Sequence, residues 1–182
     1  GVIEPVSESE DEASQAARKK EVLSGLKDVL GALGQNRAAE GSRIAKALFE
    51  QLNTIIKLCG QAEKLAALQP DNIREKLHQQ VAELLDAVPG LPEERLAQEA
   101  AVLMTKADVR EELDRLQAHI EAARALMEEG GVIGRRLDFL CQEFNREANT
   151  LCSKAADVEL SKVGLELKAV IEQYREQVQN IE

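Results

Sequence analysis

Apolar side chains return at every third or fourth position along most of this chain, which is the spacing of one face of an α-helix. The longest stripes run from Ile44 to Ala66, Val109 to Met127, Leu137 to Ala155 and Leu160 to Ile181. Only 2% of the residues are aromatic, so a core has to be built from Leu, Ile, Val and Ala. Aliphatic stripes of this length predict an all-α fold whose helices pack with a heptad-like repeat.

Helix-breaking residues divide this pattern into segments. The expected breaks, in chain order, are Gly31 with Gly34, Pro70, the run Val88-Pro89-Gly90-Leu91-Pro92, and Gly130 with Gly131. We therefore predict an acidic leader with a short helix over residues 1–35, a long helical hairpin over 36–92 and a C-terminal helical bundle over 93–182. The arms of the hairpin are expected over 36–70 and 71–87, extending from the bundle.

The charge is unevenly distributed along the chain. A formal net charge of −10 argues against a nucleic-acid partner, because phosphate binding depends on clustered Lys and Arg. Residues 77–134 alone carry −7, however, whereas residues 37–76 carry +2. An anionic partner can therefore meet the second segment without meeting most of the acid. The alternative, that these cations belong to ordinary solvated helix faces, stays open.

The sequence has no sign of a membrane or secretory segment. It contains no stretch of 18 apolar residues, and its first residues lack the basic and apolar regions of a signal peptide. The three cysteines, Cys59, Cys141 and Cys152, lack the paired spacing of a zinc site. We expect reduced core thiols and a cytoplasmic chain with no membrane partner.

Residues 134–157 are richer in hydrogen-bonding side chains than a solvated helix needs. On a helical wheel, one border of the apolar stripe carries Arg136, Glu143, Glu147, Thr150 and Lys154. Glu143 and Glu147 are four positions apart and therefore neighbours, and two adjacent carboxylates repel. A divalent metal ion is one way to compensate them, and Arg or Lys from the same or a facing helix is another.

The preceding stripe has a matching border, which carries Asp108, Glu112, Arg115 and His119. If the two helices pack antiparallel, His119 and Glu112 can approach the two glutamates of the other border. One imidazole with several carboxylates is the donor set of a Mn or Mg site, or of a general acid/base pair. A structural ion-pair network explains the same residues, and spacing alone does not decide between these readings.

Motif blocks in this region resemble a known family. Residues 134–140, Gly-Arg-Arg-Leu-Asp-Phe-Leu, and 142–150, Gln-Glu-Phe-Asn-Arg-Glu-Ala-Asn-Thr, are similar to the C-terminal domain of the YicC-like bacterial endoribonucleases. Residues 108–116 with His119 resemble another motif block of that family. The resemblance is extensive over residues 93–182, whereas over the predicted hairpin it concerns only the layout and a short run near Gly41.

The resemblance implies a metal-dependent endoribonuclease that uses Mn or Mg and acts on bacterial RNA, including small regulatory RNA. It also implies assembly as a ring-like homohexamer and a β-containing domain before the helices, so we expect this chain to be a fragment. The alternative is a non-catalytic helical module for oligomerisation, or an RNA-binding adaptor, whose polar motifs form subunit interfaces.

Given this resemblance, we assign roles to the polar residues of the two borders. The expected catalytic residues are His119, Glu143 and Glu147, with His119 as general acid or base. The expected metal ligands are Glu112, Glu143, Glu147 and Asp108. Phosphate and ribose contacts are expected from Arg115, Arg136, Arg146, Asn145, Asn149 and Lys154. Because aromatic residues are so few, we expect RNA to be held through phosphate and sugar and not by base stacking.

Overall fold

The computed structural model describes residues 11–85 and 93–181, and these residues form five α-helices and no strand. In chain order the helices are α1 (Glu12–Leu85), α2 (Glu93–Lys106), α3 (Arg110–Glu129), α4 (Gly134–Lys154) and α5 (Val158–Val178). The prediction of an all-α fold is confirmed. Across these described ranges, no helix combines the length and the apolar character needed to cross a membrane.

The predicted hairpin is wrong, because α1 continues through every break that was expected before residue 85. Gly31 and Gly34 lie within this helix, and in the described residues positive φ angles occur only at Gly130 and Gly131. Glycine lowers helix stability by about 1 kcal/mol relative to alanine, but it ends a helix mainly where the backbone turns left-handed. The break expected at residues 88–92 lies outside the described residues.

Pro70 also lies inside α1, where it removes one backbone hydrogen bond and favours a kink. The apolar stripe carries on beyond it, with Ile73 and Leu77 half-buried and Val81 buried. Full burial of one aliphatic side chain contributes about 1.5–3 kcal/mol, so one buried and two half-buried residues together offset most of the roughly 3 kcal/mol cost of proline. The helix therefore continues where local propensity predicts a stop.

The chain divides into two compact units, Gly1–Arg43 and Ile44–Glu182. This division differs from the boundaries expected after residues 35 and 92. In the first unit the side chains of residues 11–43 are exposed. They include a run of large apolar side chains in α1, namely Val22, Leu23, Leu26, Val29, Leu30 and Leu33.

The core of the second unit is a cluster of buried, mainly aliphatic side chains. The contribution of α1 is Leu48, Leu52, Ile55, Leu58, Cys59 and Ala62, which joins the stripes of α3, α4 and α5. Phe144 and Tyr174 are fully buried aromatic residues within this cluster. Residues 44–62 therefore pack as part of the bundle instead of extending from it.

Short connections hold α3, α4 and α5 side by side. The turn after α3 uses the positive φ angles of Gly130 and Gly131, which are 69° and 76°. Asp157 caps α5 by accepting hydrogen bonds from the backbone N–H groups of its first turn. Gly164 packs so closely on α4 that a Cβ atom there would lie 2.6 Å from Sγ of Cys152. The helices that carry the polar borders are thus part of one packed framework.

Candidate metal centre

Two interhelical contacts show that α3 and α4 run antiparallel. Nζ of Lys154 lies 2.8 Å from Oε1 of Glu112, and Nη1 of Arg115 lies 3.5 Å from Oε1 of Glu147. Residue numbers therefore rise along α3 as they fall along α4. The two polar borders that the helical wheels identify face each other across this interface.

His119, Glu143 and Glu147 meet within the interface. One ligand atom from each side chain, an imidazole nitrogen or a carboxylate oxygen, lies within 4.8 Å of the other two. Glu147 is only 2% exposed, whereas His119 and Glu143 are half-buried. In the part of the chain that the structure describes, no other three His, Cys, Asp or Glu residues form such a group. The three residues predicted as catalytic are thus brought together from two helices.

The imidazole of His119 rests on a buried aromatic pair. It meets Phe144 edge to face, with ring centroids 6.0 Å apart and an interplanar angle of 87°. Phe144 in turn meets Tyr174 at 6.4 Å and 88°, and the Tyr174 hydroxyl donates to Sδ of Met127 at 3.3 Å. Edge-to-face contacts between aromatic rings are favourable, so this stack restrains the orientation of His119.

Two arginines lie beside the carboxylates of this group. Nη1 of Arg115 is 3.5 Å from Oε1 of Glu147, and Nη1 of Arg146 is 3.8 Å from Oε2 of Glu143. Charge-assisted hydrogen bonds are normally about 2.7–2.9 Å long. The guanidinium groups therefore reduce the repulsion between the two carboxylates without forming close hydrogen bonds that would occupy their oxygens.

Glu112, predicted as a metal ligand, lies outside the group. Its Oε1 accepts a hydrogen bond from Nζ of Lys154 at 2.8 Å, while its buried Oε2 has no hydrogen-bond partner among the residues that the structure describes. Seven residues separate it from His119, which corresponds to about 10 Å along α3. Both Glu112 and Lys154, the latter predicted to contact phosphate, are therefore engaged with each other.

Two further predicted residues also pair elsewhere. Asp108 accepts hydrogen bonds from Nε of Arg110 at 3.0 and 3.1 Å, and bonding to Arg110 lowers the pKa of Asp108 to about 2. Arg136 lies 3.1 Å from Glu129 across the turn between α3 and α4. The distance along α4 from Arg136 to Glu147 is about 16 Å. The helical wheel of α4 therefore placed Arg136 on the correct border, but Arg136 lies about three helical turns away from the central group.

The remaining predicted contacts line a shallow groove between α4 and α5, of about 620 Å³. Its cationic lining residues are Arg146, Lys168 and Arg175, and its uncharged ones are Gln142, Asn145, Asn149 and Thr150. We call this the α4/α5 groove. The assignment of roles from sequence missed Lys168 and Arg175, although their seven-residue spacing places them on one face of a helix.

The chemistry of the central group fits a divalent cation. Imidazole and carboxylate are ligands that Mn accepts, and Mg favours carboxylate oxygens and water. His119, Glu143 and Glu147 would supply three ligand atoms, and the half-exposed positions of His119 and Glu143 allow approach from solvent. Such an arrangement leaves further coordination positions for water or a phosphate oxygen.

Comparisons with known proteins point to one family. The family described as "Endoribonuclease YicC-like, C-terminal" matches residues 62–182. A protein of Haemophilus influenzae named "Probable endoribonuclease YicC" is 34% identical over 182 residues, which is 100% of this chain and 61% of that relative. A protein of Clostridioides difficile with the same name is 36% identical over 157 residues, which is 86% of this chain and 54% of that relative. The chain thus spans a little more than half the length of these relatives.

Proposed function

Because this chain belongs to the YicC-like endoribonuclease C-terminal family, we propose that it carries the metal site of an endoribonuclease that hydrolyses phosphodiester bonds in bacterial RNA. The name of the relatives, probable endoribonuclease, supports RNA as the substrate. The observation that carries the proposal is the meeting of His119, Glu143 and Glu147, with ligand atoms within 4.8 Å of one another.

In this proposal the three residues hold one divalent ion, Mn or Mg. When bound, such an ion supplies Lewis-acid stabilisation of the charge that develops on a phosphodiester during hydrolysis. The ring nitrogen of His119 that does not face the carboxylates is the candidate proton donor or acceptor. Arg115 and Arg146, which already lie beside the carboxylates, bind phosphate oxygens. Direct ligation by Glu112 or Asp108 is not required.

We further propose that the intact protein is a homohexamer. The number of six subunits rests on the resemblance to the family alone. Self-association is supported by the first unit, where the large apolar side chains of residues 22–33 are between 51% and 64% exposed. Leu23, Leu26, Leu30 and Leu33 recur with the spacing of a coiled-coil seam. Soluble monomers rarely expose a contiguous apolar surface of this kind, and a second copy of the chain is the occupant we propose.

The proposal includes small regulatory RNA among the substrates and a cytoplasmic location. The first part rests on the resemblance to the family alone. The second is supported by the cysteines, because Cys59, Cys141 and Cys152 are free thiols, which is typical of a reducing compartment.

The test measures cleavage of an end-labelled, structured small RNA by the full-length protein with Mn, with Mg and with EDTA. We expect cleavage with metal, none with EDTA, and recovery when Mn is added in excess. Glu143→Gln and His119→Gln are each expected to reduce the rate about 10²–10⁴-fold, because each removes a metal ligand or proton-transfer group. Titration of Mn followed by electron paramagnetic resonance reports metal binding independently of cleavage.

Glu128→Gln is the matched control. Glu128 is an exposed carboxylate of the same helix as His119 and has no ion pair within the described residues. Its replacement should leave cleavage and Mn binding unchanged. Cleavage at the unmodified rate in both site variants, or in EDTA, would show that the assigned site is wrong.

A second function is favoured by one observation, the pairing of both carboxylates with arginines, as expected for a structural network. The chain would then be a non-catalytic oligomerisation module or an RNA-binding adaptor. Light scattering on Glu147→Gln separates the two functions. Loss of the oligomer, together with a wild-type protein that does not cut RNA, supports the module, whereas an intact oligomer with lost cleavage supports the enzyme.

A further inference from the structure

The residues that line the α4/α5 groove differ in charge from the chain as a whole. Its lining contains three cationic side chains and no carboxylate, although the whole chain has a formal net charge of −10. Resting on the proposed function, we propose that this groove binds the sugar–phosphate backbone of a single-stranded stretch of the RNA substrate, next to the site of cleavage. The occupant is a polyanion with hydroxyl groups, held without base stacking.

Lys168 differs from the other two groove cations, Arg146 and Arg175, in having no ion-pair partner among the described residues. It is half-buried and forms no ion pair with any residue that the structure describes. Arg175, in contrast, lies 3.4 Å from Oδ1 of Asp138 and is held by it. The nearby carboxylates of Asp138 and Glu172 are engaged with Arg175, Gln142 and Asn145, so the ammonium group of Lys168 is left as a ready partner for a phosphate oxygen.

The amide side chains of the groove are oriented by neighbouring acids. Nδ2 of Asn145 donates to Oε2 of Glu172 at 3.2 Å, and Nε2 of Gln142 donates to Oδ2 of Asp138 at 2.9 Å. Each carboxylate can only accept a hydrogen bond, so the NH₂ group of each amide must face it. The amide oxygens of Asn145 and Gln142 are then left to accept a hydrogen bond from another donor. A ribose 2′-hydroxyl is such a donor, and it is the group that distinguishes RNA from DNA.

Arg146 connects the groove with the metal centre. It lines the groove, and its Nη1 lies 3.8 Å from Oε2 of Glu143. One strand can therefore present a phosphate to the metal centre and neighbouring nucleotides to the groove by crossing the exposed face of α4. The groove is lined by no aromatic residue, so binding there should be insensitive to base sequence.

The experiment measures binding of a short fluorescein-labelled oligouridine to this chain by fluorescence anisotropy in EDTA, so that binding is separated from cleavage. We expect Lys168→Gln to raise the dissociation constant about fivefold and to reduce the slope of log affinity against log salt by about 0.7. Gln142→Leu should weaken oligouridine more than the matching oligodeoxyuridine, since its amide oxygen is assigned to the 2′-hydroxyl.

Lys162→Gln is the control, because Lys162 lies on the same helix but is exposed and paired with Glu159 at 2.6 Å. It should bind oligouridine like the unmodified chain. Equal affinity and equal salt slope in Lys168→Gln and Lys162→Gln would overturn the proposal, provided that circular dichroism shows both variants to be folded. The binding assay contains EDTA and does not depend on cleavage. An error in the proposed binding groove can therefore be distinguished from an error in the proposed nuclease function.

Discussion

The imidazole of His119 lies edge-on to the ring of Phe144, with the two ring centroids 6.0 Å apart. Phe144 directly follows Glu143 in α4, so one short segment supplies both a carboxylate of the proposed metal centre and the surface that supports its imidazole. Phe144 itself is fully buried in the core. The orientation of His119 is therefore coupled to the packing of the bundle.

From this contact we predict that Phe144→Leu weakens Mn binding about tenfold, because losing a neighbour that orients a ligand typically costs 10–100-fold in affinity, by order of magnitude. The fold should survive with a loss of about 1–2 kcal/mol. Tyr174→Phe is the control, since it removes the hydrogen bond to Met127 but keeps the ring beside Phe144. Calorimetric titration with Mn measures both, and equal affinities would show that the ring contact does not position His119.

The pair of Glu112 and Lys154 gives a prediction about stability. Glu112 is 4% exposed, so Lys154→Met leaves a buried carboxylate without its cation and should destabilise the chain on the order of 3 kcal/mol. Replacing both residues, by Glu112→Gln with Lys154→Met, should recover most of this loss because no buried charge remains. Urea unfolding of Glu112→Gln, Lys154→Met and the double variant measures the three changes in the free energy of unfolding. If the change in the double variant equals the sum of the two single changes, the two residues are not coupled.

Gly164 is expected to be intolerant of a side chain. A Cβ there would lie 2.6 Å from Sγ of Cys152 and 3.0 Å from Cδ2 of Leu151, so Gly164→Ala should destabilise the chain by about 1–3 kcal/mol. Adding Cys152→Ala to this variant should restore part of the lost stability, because it removes the Sγ atom that lies closest to the new Cβ. A Cβ at Gly60 would meet no described atom within 4 Å apart from the adjoining backbone of its own helix. Gly60→Ala should therefore show a gain of up to about 1 kcal/mol in thermal unfolding.

Burial should make the thiols of Cys59 and Cys141 unreactive near neutral pH. Burial raises the pKa of Cys59 and Cys141 from the ordinary value of 9.0 to about 12. With a pKa of about 12, both thiols are almost entirely protonated at pH 8, where the reactive thiolate is a fraction on the order of 10⁻⁴. In the folded chain, iodoacetamide at pH 8 should therefore leave both unmodified, as mass spectrometry of peptides can verify. Labelling as fast as in urea would contradict the buried placement.

Much of the bundle follows from periodicity alone. Spacing of three and four identifies the face that each helix buries, whichever element covers it, so the stripes of α3, α4 and α5 are predictable from sequence. The course of α1 is not, because glycine and proline report only a local loss of helix stability. Whether the chain turns at Pro70 depends on the burial of the stripe that follows it, and burial is a property of the whole unit.

The sequence by itself therefore determined an all-α, aliphatic bundle and the polar residues that lie along the facing borders of α3 and α4. Only the tertiary structure decided which of them meet: His119 with Glu143 and Glu147, Glu112 with Lys154, and Arg136 with Glu129. The reason is geometric. A helical wheel gives the angle of a side chain around its axis, whereas its height relative to a neighbouring helix depends on the connecting turn and on side-chain packing.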